Sequence, residues 1–177
     1  MTWLDKISPC VRVVGAEAYE AGWVEPMRVI YEHELVLFED GDFMMEIGGV
    51  KYPCPKGSFI VVPPGVWHLS RMLSGSGGRR RWIHFDWIFQ TSATDLPLMT
   101  FWPRPPKANL LRPAPDWVPP PVMHGVNVLH APMVDLHDRL NKLWNSGTNH
   151  DRALCRGLLL QLLVEVLDDD TQAHEQT

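Results

Sequence analysis

Between residues 10 and 62 the apolar residues come in runs of five or six: CVRVV (10–14), MRVIYE (27–32), ELVLFE (34–39), FMMEI (43–47) and SFIVV (58–62). A buried helix needs about 10–12 residues. These short runs, rich in β-branched and aromatic side chains, therefore read as strands. Turn chemistry separates them: EDGD (39–42), Gly48-Gly49 within IGGVKY, and CPKGS (54–58), where Pro55 fixes φ and Gly57 is free to take a positive one. SGSGGRRR (74–81) reads as a flexible turn and RWIHFDWIF (81–89) as the next strand. Many short strands at even spacing predict a sandwich or barrel.

The second half changes character. Nine of the 16 prolines fall within 97–121. Proline lacks the N–H that a ladder needs, so this is a wrapping segment or a sheet edge. Its Leu98, Phe101, Trp102, Leu110, Leu111 and Trp117 predict that it packs on the body of the protein. VNVLHA (126–131) reads as strand-like. Met133, Leu136, Leu140, Leu143 and Trp144 then recur at helical spacing. NSGTN (145–149) interrupts them, and DRALCRGLLLQLLVEVL (151–167) makes a second helix capped by Thr148 or Asn149. Its polar stripe is only Arg152, Arg156, Gln161 and Glu165, so one wall cannot cover the rest. Asp168-Asp169-Asp170 ends this helix, at the pole where negative charge is unfavourable.

A length of 177 residues suits one domain. The net charge of −5 makes the chain a poor binder of nucleic acid phosphates, and Arg79-Arg80-Arg81 reads as a solvated loop end. Cys10, Cys54 and Cys155 are isolated, without the spacing of a zinc knuckle or disulfide framework. With no apolar leader and no run of about 18 apolar residues, a reducing, cytoplasmic setting without membrane contact is expected. The expected organisation is a sensor domain over 1–131, a two-helix dimerisation element over 132–170 and a polar tail or linker start over 171–177.

In GSFIVVPPGVWH, residues 57–68, a glycine, a Pro–Gly turn and a histidine follow a strand. The spacing resembles the second motif of the cupin superfamily, matched through His68; the Asn that ends the motif would fall at Met72. In cupins this turn aims the His into the mouth of a β-barrel. HELVLFEDGDFMMEIGGVKYPCPKGSFIVVPPGVWH, a gap and then WIHFDW resemble the N-terminal sensor domain of AraC/XylS-type transcription regulators, over roughly residues 28–168. The resemblance implies a mainly β fold: a cupin (double-stranded β-helix, jelly-roll) barrel followed by two antiparallel C-terminal helices. It also implies a small-molecule effector and a homodimer formed through the helices, here Leu158, Leu162, Val166 and their neighbours. The family's helix-turn-helix part is absent from this chain, so DNA contact would come only through it. The expectation is that the natural protein continues into that part.

Strand alternation sorts the candidate site residues. Trp82, His84 and Asp86 share one face of their strand, with Ile83, Phe85 and Trp87 on the other. A His and an Asp beside an indole suit a sugar-like or other polar ligand, and the family resemblance supports His84. In the preceding segment the Tyr31, His33 and Glu39 face is favoured over that of Glu32 and Glu34. The expected ligand site is therefore His68, His84, Trp82, Asp86, Tyr31, His33 and Glu39, with no catalytic residue and no cofactor. The alternative is a metal-dependent cupin enzyme, an oxygenase or isomerase, using His33, Glu39, His68 and His84 around a divalent ion. The first cupin motif has His-x-His, and here Leu35 stands where the second His would be. A filled domain that only dimerises is a third reading.

Overall fold

The computed structural model describes residues 3–89, 97–119 and 122–174, and the side chains only as far as 167. Pro120, Pro121, the Asp168-Asp169-Asp170 side chains and the final residues of the tail lie outside the described residues.

Among the described residues ten strands form two five-stranded sheets, and every ladder is antiparallel. The first sheet contains β1 (Cys10–Tyr19), β3 (His33–Asp40), β6 (Phe59–Val62), β8 (Gly78–Asp86) and β10 (Met123–Gly125), in the order β1-β8-β3-β6-β10. The second contains β2 (Arg28–Ile30), β4 (Phe43–Ile47), β5 (Val50–Cys54), β7 (His68–Met72) and β9 (Met99–Phe101), in the order β5-β4-β7-β2-β9. Val36, Phe38, Ile60 and Val62 of the first sheet meet Ile30, Phe43, Met45 and Met72 of the second in one core.

The expected closed barrel is corrected here: these are two open sheets packed face to face. No ladder joins them among the described residues. Strand β10 ends the first sheet and β9 ends the second; each is three residues long, and they adjoin or belong to the proline-rich segment. Proline has no N–H with which to extend a ladder, so the edges stop there.

The other face of the first sheet carries a second core. Leu35, Leu37, Phe59, Val61, Ile83 and Phe85 pack against Met133, Leu136 and Leu140 of α1 (Ala131–Ser146) and Leu159, Leu162 and Val166 of α2 (Asn149–His174). The first sheet is therefore covered on both sides, which is why ELVLF and FIVV are apolar at every position but one. Gly147, at φ 76°, ends α1. The Thr148 hydroxyl accepts a hydrogen bond from the Asp151 N–H at 3.0 Å, which settles the cap of α2 on Thr148. The strand-like reading of 126–131 fails: β10 precedes it, and Asn127 takes a left-handed φ of 59° that no strand tolerates. Among the described residues no helix is long and apolar enough to cross a membrane.

Candidate functional site

Strand β8 begins at Gly78, three residues before the sequence reading placed it. Its alternation therefore sends Arg80, Trp82, His84 and Asp86 between the sheets and Arg81, Ile83 and Phe85 toward the helices. Arg80 and Arg81 are 4% and 3% exposed, so the expected solvated loop end is instead buried. Across β8, register pairs Glu34 with His84 and His33 with Phe85. Residues paired in this way share a face, so Glu34 lies with His84 in the interior.

A cleft of about 500 Å³ lies between the sheets, within the usual range for small-ligand sites. Tyr19, Trp23 and Trp82 line it, with Leu98 and Met99 from the wrapping segment. Arg28, Glu34, Arg80 and His84 supply its buried polar surface. Trp82 fits because β1 offers Gly15 directly opposite; a methyl group there would run into the indole ring. The Arg80 guanidinium lies 4.7 Å from the Trp23 ring centre and 4.9 Å from that of Tyr19, a cation–π arrangement.

The buried charges form one alternating row. Arg80 Nη2 is 2.8 Å from Glu25, Glu25 is 3.2 Å from Arg28, and Arg28 Nη2 is 2.8 Å from Glu34. His84 Nε2 is 3.4 Å from Glu34, and its Nδ1 is 2.9 Å from Glu32. Burial alone would lower the His84 pKa, but Glu34 and Glu32 raise it to about 9. Burial would likewise raise Glu34, but Arg28 and His84 hold it well below the carboxylate range. With His84 protonated, three cations face three anions and the row is neutral.

The other expected site residues go elsewhere. His68 is fully buried on β7, directly across from Arg28, and its Nδ1 donates to the Val66 carbonyl at 3.0 Å. Burial lowers its pKa. Asp86 shares the inner face but is held at its far end by Arg12 Nε at 2.6 Å and Arg112 Nη1 at 2.8 Å. The Tyr31 hydroxyl accepts the Lys107 N–H at 3.2 Å, pinning the wrapping segment. His33 and Glu39 correct the choice of face on β3. His33 packs 5.9 Å from the Phe85 ring and 5.7 Å from the Trp87 ring in the helix-side core, where burial lowers its pKa to about 4. Glu39 accepts from Arg79 and Arg81 on that same side, where Arg81 also reaches Asp138 of α1. The metal-site alternative needed His33 and Glu39 together with His68 and His84, and the first sheet separates those pairs. Among the described residues no group of three or more His, Cys, Asp or Glu is placed to hold a metal ion.

Leu158, Leu162 and Val166, expected at a dimer contact, are buried within the protomer against the sheet and α1. The apolar residues that α2 leaves exposed are Leu154, Leu160 and Val164. Sequence reasoning missed Tyr19, Trp23, Glu25, Arg28, Glu34 and Arg80. The signal for Arg80 was present: carrying the alternation back from Trp82 by two residues reaches it. Glu25 lies in a loop, where no periodicity applies.

The aromatic-lined cleft and the balanced charge row thus lie together between the two sheets. The chain belongs to the AraC-like ligand binding domain family, whose model matches residues 11–163. No curated protein matches it. Among solved structures it is similar to the protein YhaK from Escherichia coli, with a TM-score of 0.42 and 19% identity over 54% of this chain and 44% of that one. It is also similar to the Cnp3 cupin domain of Schizosaccharomyces pombe, with a TM-score of 0.39 and 15% identity over 40% of this chain and 53% of that one. A third is ToxT from Vibrio cholerae with an unsaturated fatty acid bound, with a TM-score of 0.36 and 9% identity over 41% of this chain and 28% of that one. The chain thus spans less than two thirds of the length of each.

Proposed function

We propose that this domain senses a small molecule in the cleft and dimerises through α2, as the regulatory part of an AraC-type transcription regulator. The observation that carries the reading is the cleft itself: Trp82 and His84 from β8 face Arg28 from β2 across the sandwich in a chain of this family. Tyr19, Trp23 and Trp82 offer ring faces, and the charge row offers donors and acceptors held in place before a ligand arrives. For binding to regulate anything, the ligand must prefer one of two states, and about 1–3 kcal/mol of coupling is typical. Strand β8 is suited to carry that coupling. The same strand that places Trp82 and His84 in the cleft sends Arg81 to Asp138 and His137 of α1.

The test is a thermal-shift screen of small metabolites on the 177-residue chain and on Trp82→Ala. A compound that raises the melting temperature of the chain and loses at least tenfold in calorimetric affinity on Trp82→Ala supports the cleft. Unchanged affinity in a folded Trp82→Ala variant removes it.

A further inference from the structure

Beside the cleft, three buried polar atoms have no hydrogen-bond partner among the described residues: Arg28 Nε, His68 Nε2 and Ser70 Oγ. Strand register brings them to one face. Arg28 is the cross-strand partner of His68, and opposite residues point the same way. Ser70 stands two residues beyond His68 on β7 and so shares its face. Arg28 itself lines the cleft, and His68 and Ser70 stand behind it on β7. Buried polar groups in folded proteins are almost always paired, and three unpaired on one face beside a cleft ask for an occupant.

Each atom has a defined polarity. Arg28 Nε carries a hydrogen and only donates. His68 Nδ1 faces the Val66 carbonyl, which only accepts, so Nδ1 holds the ring hydrogen. Burial keeps the ring neutral, and Nε2 is then an acceptor. Ser70 Oγ donates or accepts. A single hydroxyl has one hydrogen and two lone pairs: it donates to His68 and accepts from Arg28 and Ser70, satisfying all three. A carboxylate has nothing to donate to His68, and an ammonium has nothing with which to accept from Arg28. Water would leave one hydrogen over. The neighbouring charge row is already neutral, so a charged ligand would unbalance it and an uncharged one would not.

We infer that the ligand of the cleft is an uncharged molecule that inserts a hydroxyl among Arg28, His68 and Ser70. This rests on the cleft being the ligand site proposed above. The experiment uses the 177-residue chain with ¹⁵N-labelled histidine rings, titrated separately with ethylene glycol, glycerol, sodium acetate and methylammonium chloride at constant ionic strength. The expected result is a saturable change in the His68 Nε2 resonance with both alcohols and none with acetate or methylammonium. Ser70→Ala, which removes an atom without a protein partner and so keeps the fold, should weaken the response to the alcohols about fivefold, the size of one hydrogen bond. A saturable response to acetate or methylammonium, or none to either alcohol, overturns the inference. Emission of the chain minus that of its Trp82→Phe variant, followed in the same titrations, separates the two readings. A Trp82 response to a charged probe with His68 silent keeps the cleft and ends the hydroxyl assignment. A His68 response without one at Trp82 detaches the three atoms from the cleft.

Discussion

Gly15 has no side chain because the Trp82 indole fills the space where one would stand. Gly15→Ala should therefore push the ring into the cleft, at an overpacking cost of about 1–3 kcal/mol, with altered tryptophan emission in the folded variant as the readout. Glu34 shows the cost of a balanced row. It is 1% exposed and pairs with both Arg28 and His84. Removing one partner of a buried ion pair leaves an uncompensated charge, so Glu34→Ala should destabilise the protein by about 3–5 kcal/mol in urea denaturation. His84 carries the pH dependence. Its folded pKa of about 9 lies above its unfolded value of about 6.5. Its charged contacts therefore stabilise the fold fully below about pH 6.5, and this contribution is lost as pH rises through about 9. The urea midpoint should fall between pH 7 and 10, and His84→Gln should show a smaller fall across that window.

At the scale of one element, α2 has two apolar faces that differ in burial. Leu162 is fully buried against the sheet, while Leu160 and Val164, four residues apart on one stripe, are about a third exposed. Leu162→Glu places a charge in the core and should unfold the domain. Leu160→Glu should leave the circular dichroism and melting temperature unchanged and convert a dimer to monomers in sedimentation velocity. A Leu160→Glu protein that sediments as the unaltered dimer would move the interface off this stripe. Hydropathy alone could not choose between these faces, because Leu158, Leu160, Leu162 and Val164 are equally apolar. The choice is made by what the helix packs on, and that is β1 and α1.

Across the whole molecule, Asp86 is where three distant segments meet. Its carboxylate takes Arg12 from β1 and Arg112 from the wrapping segment while sitting on β8. Arg112 also donates its backbone N–H to the Tyr31 carbonyl at 2.8 Å, and Met99 of the same segment lines the cleft. The proline-rich segment is thus clasped to the body at Lys107 and Arg112, and β9 pairs it with β2 where Leu98 and Met99 wall the cleft. Asp86→Ala removes the carboxylate from Arg112 and should make residues 97–119 cut faster in limited proteolysis, while β8 stays protected. Equal cleavage of both proteins would show that the Tyr31 contacts suffice to hold the segment.

Local chemistry was enough for much of this. The five short runs became strands because β-branched residues between tight turns have few other options. The two helices followed from their period and the break between them from NSGTN, within which the structure puts Gly147 at φ 76° and the cap of α2 on Thr148; the Pro–Gly turn before His68, with Gly65 at φ 79°, was legible through the family resemblance. What local pattern did not determine was which partner each face meets. His33 and Glu34 alternate along one strand, and both belong to residue types that ask for polar company. Only the pairing of β3 with β8, together with helices covering the far side, sent Glu34 to Arg28 and His84 and sent His33 among aromatic rings. Whether the sheet closes, which arginines are buried and which leucines stay exposed are likewise decided by contacts between residues far apart in sequence. Burial is a property of the neighbour as much as of the residue, and the neighbour is supplied by the fold.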